Sequence, residues 1–109
     1  MKFNQKNLVG YLKSFDNVNL SYPFGSEVLV FSYGDKMFAL VEKDKIPVRL
    51  SLKCDPKLST ILRDKYEEVM PGVNLSQKNW NTILITGQLS DQEIEDLIRH
   101  SYELVKLEV

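Results

Sequence analysis

One tryptophan sits among amides and a cation in Gln77-Lys78-Asn79-Trp80-Asn81. An indole in that company can stack on a nucleobase while Lys78 meets a phosphate. The same residues also read as a partly buried Trp whose N–H finds one partner, with Asn shaping a turn. A second set of polar residues alternates along Val48-Arg49-Leu50-Ser51-Leu52-Lys53. Period two puts Arg49, Ser51 and Lys53 on one side and Val48, Leu50 and Leu52 on the other. At ~3.3 Å per residue, Arg49 and Lys53 stand about 13 Å apart, which suits contacts to separate phosphates. Lys43 and Lys45 precede them in a loop. A solvated sheet face is the other reading of these cations.

The remaining candidates for chemistry are isolated. Cys54 lies beside Asp55 at a strand-to-helix junction, where a helix N-terminus can activate a thiol. The chain has a single His, His100, so the thiol has no evident base partner and reads first as a buried structural Cys. One His and one Cys are too few for a zinc site. Asp91, Glu93, Glu95 and Asp96 read first as the solvated start of a helix, where acids favour the helix dipole, with a hard-cation site on Asp91 and Glu95, at i and i+4, as the weaker alternative. There is no nucleophile elbow, no phosphate-binding Gly/Lys loop and no dinucleotide fingerprint. The expectation is a protein that is not an enzyme and needs no cofactor and no metal.

Such residues need a scaffold, and the bulk properties bound it. A chain of 109 residues, 43% hydrophobic and 27% charged, fits one globular domain, residues 1–109. With one Cys, no intrachain disulfide forms. No apolar leader follows Met1-Lys2-Phe3 and no membrane-length apolar run occurs, so the cytoplasm is the expected compartment. Net charge is −1, which is not the footprint of a strong nucleic-acid binder. The distribution is uneven: Lys43 to Lys65 holds seven Lys and Arg against three Asp, and Asp91 to Val109 holds six acids against two bases.

Periodicity places the elements. Leu8, Val9, Tyr11, Leu12 and Phe15 give a helix over about Asn4 to Phe15. Val28 to Tyr33 and Met37 to Val41, split by Gly34-Asp35, predict a β-hairpin. The strand Val48 to Lys53 follows. Asp55-Pro56 opens a second helix with Leu58, Ile61, Leu62 and Tyr66 as its buried stripe. Val69 to Asn74 reads as a turn or an irregular edge, and Trp80 to Thr86 as a strand. Ser90-Asp91-Gln92-Glu93 is a capping box, and Ile94, Leu97, Ile98, Tyr102 and Val105 form the buried stripe of a last helix. The order is α-β-β-β-α-β-α, with an extra short strand near Tyr22. This is an α+β fold with helices packed on one face of an antiparallel sheet.

Four segments together resemble the MmcQ/YjbR family. They are Tyr22-Pro23-Phe24-Gly25, Lys36-Met37-Phe38-Ala39-Leu40, Leu50-Ser51-Leu52-Lys53-Cys54-Asp55-Pro56, and Lys78-Asn79-Trp80-Asn81-Thr82 closing with His100-Ser101-Tyr102-Glu103-Leu104-Val105. They span nearly the whole chain. The resemblance implies a CyaY-like (frataxin-like) fold and a DNA-binding surface formed by two hairpin wings. The family often carries His before the Trp; Asn79 stands there in this chain, so a role needing an imidazole does not transfer. On this basis the expected partner is DNA, bound by a monomer or weak homodimer with no membrane attachment. The contacts would come from Lys43, Lys45, Arg49, Lys53, Lys78, Asn79, Trp80 and Asn81. The alternative is a module for a protein or small ligand, with Tyr22, Phe24, Phe31 and Tyr33 supplying an apolar surface.

Overall fold

The computed structural model describes residues 3–72 and 75–108. Its elements, in chain order, are α1 (Gln5–Lys13), β1 (Val18–Ser21), β2 (Val28–Tyr33), β3 (Lys36–Glu42), β4 (Val48–Lys53), α2 (Pro56–Lys65), β5 (Val69–Pro71), β6 (Trp80–Ile85) and α3 (Asp91–Leu107). The six strands form one antiparallel sheet in the order β1-β2-β3-β4-β6-β5. The expected α+β architecture and element order hold. The short strand foreseen near Tyr22 is β1, and the irregular edge is β5, ending at a proline that an edge strand tolerates. Val73 and Asn74, the end of that predicted stretch, lie outside the described residues.

Local chemistry sets the boundaries. Asn4 accepts the Asn7 N–H at 2.8 Å and starts α1. The helix stops two residues short of the predicted Phe15, because Ser14 turns back onto the Tyr11 carbonyl and Asn17 takes a left-handed φ of 61°. Gly34, at φ 61°, closes the tight β2–β3 turn. Asp55 accepts from Lys57 and Leu58 N–H groups at the start of α2. The capping box of α3 is complete, with Ser90 Oγ accepting from Glu93 N–H and Glu93 Oε1 accepting from Ser90 N–H.

One face of the sheet carries the main core. Leu29, Phe31, Val41, Leu50, Leu52 and Ile83 meet Leu8 and Leu12 of α1 and Ile94, Ile98 and Val105 of α3. Tyr102 is its aromatic hub, with ring centroids 4.8 Å from Phe15, 5.5 Å from Phe38 and 5.6 Å from Tyr33. Its hydroxyl donates to the Asp16 carbonyl at 2.7 Å. Ser101, also buried, donates to the Phe38 carbonyl at 2.6 Å. The predicted stripe of α2 needs one correction. Ile61 is exposed, and the inward positions are Leu58, Ser59, Leu62, Arg63 and Tyr66. The helix is rotated so that Arg63 reaches the carbonyls of the β5–β6 loop.

Candidate ligand groove on the open sheet face

The face away from the helices is built from the alternate residues of the same strands. Cross-strand register lines up Val28, Glu42, Arg49 and Leu84 in one row, and Val30, Leu40, Ser51, Thr82 and Met70 in the next. Two loops fold over this face from opposite ends of the sheet. The β1–β2 loop brings Phe24 from the Glu42/Arg49 end. The β5–β6 loop brings Leu75 from the Lys53/Trp80 end, and Leu75 packs on a small cluster of Val30, Leu40 and Trp80. Gly72 allows that loop to lie close, since a Cβ there would fall 2.9 Å from the Trp80 Cβ.

Between the loops lies an open cavity of about 260 Å³. Its apolar walls are Phe24, Val28, Leu40 and Leu75. Phe24 is 56% exposed. The floor holds the hydroxyls of Ser51 and Thr82, which share a hydrogen bond of 2.8 Å. At one end stand Arg49 and Glu42, with Nη1 3.9 Å from Oε2. That separation is an ion pair without a hydrogen bond. The arrangement therefore offers an apolar slot with a cation, an anion and a hydroxyl pair along one side.

The residues singled out in the sequence scatter across this frame. Lys43 and Lys45 are exposed on the β3–β4 loop, where the Lys43 N–H bonds the Glu27 carbonyl at 2.8 Å. Arg49 lines the groove beside Glu42. Lys53 is not beside Arg49 as a second phosphate contact: its Nζ lies 2.6 Å from Glu108 Oε1 at the C-terminal end of α3. Lys78 is exposed in the β5–β6 loop, and the backbone carbonyl of half-buried Asn79 accepts the Cys54 N–H at 2.7 Å. Trp80 is 7% exposed and Asn81 2% exposed. The indole packs under Leu75 rather than standing as a platform, and Asn81 is held inside the protein. The two loops bearing lysines lie at opposite ends of β4, about 17 Å apart at ~3.3 Å per residue. Around the β3–β4 loop, Lys43, Lys45 and Arg49 are balanced by Glu27, Glu42 and Asp44.

Three functional placements were missing from the sequence reading. Glu42 faces Arg49 across the β3–β4 hairpin; opposite charges flanking that loop were the available signal. Arg63 ties the β5–β6 loop to α2, with Nε donating to Asn81 Oδ1 at 2.6 Å and Nη2 to the carbonyls of Trp80, at 3.0 Å, and Gln77. Asn81 Nδ2 in turn reaches the Ser59 carbonyl at 3.4 Å. Leu75 had no signal at all.

Cys54 is 4% exposed, and burial pushes its thiol pKa up, away from the reactive thiolate; the Ser59 hydroxyl offsets this only in part. His100 Nε2 accepts the Asp55 N–H at 3.2 Å, pinning the β4–α2 junction to α3. Among the described residues no group of three or more His, Cys, Asp or Glu comes together to hold a metal ion. No helix among them is long and apolar enough to cross a membrane.

The fold and sequence are shared with known proteins. The uncharacterised Escherichia coli O157:H7 protein YbdF is 33% identical over 88 residues, covering 81% of this chain and 72% of YbdF. The uncharacterised protein YjbR of Escherichia coli K12 is 33% identical over 69 residues, and the match spans 63% of this chain and 58% of YjbR. Among solved structures, the DR2400 protein of Deinococcus radiodurans, with its DUF419 domain, superposes with a TM-score of 0.90 at 31% identity, over 96% of this chain and 80% of that one. A Pseudomonas syringae protein superposes with a TM-score of 0.80 at 26% identity, over 94% of this chain and 99% of that one. Residues 13–104 match the YjbR family description, and with that span of shared sequence on this sheet-and-helix frame, the chain belongs to the YjbR (MmcQ/YjbR) family.

Proposed function

We propose that this protein is a non-catalytic binding module that works through the groove on its open sheet face. The observation that carries the reading is the contrast within that groove. Phe24, an apolar side chain that a core would bury, stands exposed beside half-buried Val28 and Leu75 around a polar floor. A few convergent polar groups in an apolar cleft are the ordinary composition of a ligand site. The buried, deactivated Cys54 supports a role without covalent chemistry. Amide shift mapping by NMR against a library of small organic molecules tests this. Binders should move Leu40, Ser51, Leu75 and Thr82 together, and Leu75→Glu should abolish the shifts. Hits that cluster elsewhere on the surface would sink the reading.

A second reading is nucleic-acid binding by the hairpin loops. The β3–β4 tip favours it, since Lys43 and Lys45 lie in the exposed loop just before Ile46, which is 98% exposed. An apolar tip preceded by lysines has the form of a wedge that enters a groove of DNA while its neighbours meet phosphates. The local acids Glu27, Glu42 and Asp44 and the burial of Trp80 and Asn81 limit it to few contacts, and rank it second. Fluorescence anisotropy of labelled duplex and single-stranded DNA across a salt series measures it. The expected slope corresponds to only two or so phosphates, about −2 in log K against log salt. Absence of binding at low salt removes the reading.

A further inference from the structure

We infer that the groove takes a small amphipathic carboxylate, with its head on Arg49 and its apolar body between Phe24 and Leu75. This rests on the groove reading above and adds the chemical class of the ligand. Three observations select it.

The first is the state of Arg49. Its guanidinium makes no hydrogen bond to any described residue, and Glu42 holds it only at 3.9 Å. Its donors form a planar fork shaped for a carboxylate, and a guanidinium is more weakly hydrated than an ammonium, so it enters a half-buried site at lower cost.

The second is the Ser51–Thr82 pair. Two hydroxyls bonded to one another use one proton between them, which leaves the other O–H to donate. Both groups lie on the same side of the groove as Arg49. The floor thus presents one spare hydroxyl donor, on Ser51 or Thr82, on the same side as the Arg49 guanidinium, and an acceptor-rich anion satisfies both. A cationic ligand would satisfy Glu42 alone and would leave Arg49 and the spare hydroxyl unmatched.

The third is size. A cavity of about 260 Å³ falls just under the usual ~300–1,000 Å³ of sites for drug-sized molecules. It has room for a short fatty or aryl acid. Glu42 then acts as a tethered competitor: the ligand's carboxylate replaces its loose hold on Arg49.

Calorimetric titration with octanoate, octanol and octylamine at neutral pH tests the assignment, with emission of the single Trp80 as a second readout because it packs against Leu40 beneath the groove. Octanoate should bind at least about tenfold more tightly than octanol, the ratio expected of a charge-assisted hydrogen bond. Octylamine should bind no better than octanol. Arg49→Gln should bring octanoate to the octanol level. Glu42→Gln should tighten octanoate several-fold and leave octanol unchanged, a gain that a damaged fold would not produce. Equal binding of octanoate and octanol, or indifference to both substitutions, overturns the carboxylate and leaves the groove. No heat from any of the three probes and unmoved Trp80 emission overturns the groove as well.

Discussion

On the helix side of β4, Leu50 and Leu52 disappear into a core shared with α1 and α3. One residue away, on the other side, Ser51 floors a groove and Arg49 stands half-exposed beside it. The two faces are made from the same strands, yet their polar groups are treated differently. On the helix side, Ser101 and the Tyr102 hydroxyl each donate to a backbone carbonyl at bonding distance. On the open side, a guanidinium and a carboxylate meet at a distance too long for a hydrogen bond. A satisfied buried polar group rigidifies a fold, whereas an unsatisfied, accessible one is available to a ligand. Most of the buried core thus lies on the helix side, and the open side is where the proposed ligand would dock.

The largest expected effect tests that division directly. Ile98→Ala removes a fully buried side chain from the helix-side core and should cost about 2–5 kcal/mol, a large part of the stability of a domain this size. Phe24→Ala, on the groove wall, should stay within about 0.5 kcal/mol, as exposed positions do. Urea unfolding followed by circular dichroism gives both midpoints. A Phe24→Ala loss that rivals the Ile98→Ala loss would mean the open face is a second core and not a site.

Arg63 is where the two faces are joined, because it leaves a helix on one side to hold the loop that covers the other. Arg63→Met keeps the aliphatic stem and strands the buried Asn81 carbonyl oxygen. It should cost about 1–3 kcal/mol, the usual penalty for leaving such a group unpaired. Hydrogen exchange should then quicken at residues 75–80 while the amides of β2 and β3 stay protected. Uniform acceleration across the sheet would show that the strut supports the whole fold and would blur the comparison.

The helix side was legible in the sequence for reasons that its chemistry makes plain. Alternation in Val48 to Lys53, the Asp55-Pro56 start and the Ser90–Glu93 capping box are all local, and local signals survive in a single sequence. The open face was read only in part. Alternation points to Arg49 but not to its partner Glu42, and it puts Lys53 beside Arg49 although Lys53 pairs with Glu108, 55 residues away. The partners of Arg63 are largely backbone carbonyls, which carry no residue-type signature. The same limit explains Ile61: counting apolar spacing puts it inward, and a polar anchor on α2 turned the helix the other way. The groove itself arises from Phe24 and Leu75 meeting across the sheet from opposite ends, a juxtaposition that no spacing encodes.

The smallest expected effect separates the faces by pH. Glu93 bonds the Tyr66 hydroxyl at 2.5 Å and caps the Ser90 N–H at 2.9 Å, and these bonds hold its carboxyl below the ordinary Glu value, the Tyr66 contact contributing most. A carboxyl whose folded pKa lies below its unfolded one stabilises the fold above the unfolded value, near 4.3, and loses that contribution as pH falls through the folded value. Tyr66→Phe should cost no more than about 1 kcal/mol at neutral pH, because solvent screens a carboxylate this open. The gap between the two proteins should close as pH drops from about 4.3 into the folded range, because the wild type then forfeits the same bond. Urea midpoints from pH 7 to pH 2 measure it. The Tyr66–Glu93 bond joins α2 to α3 on the helix side, so the loss should appear in global stability and leave octanoate affinity at neutral pH untouched. A Tyr66→Phe protein that weakens octanoate would show that the helix layer governs the groove, and the two faces would have to be treated as one unit.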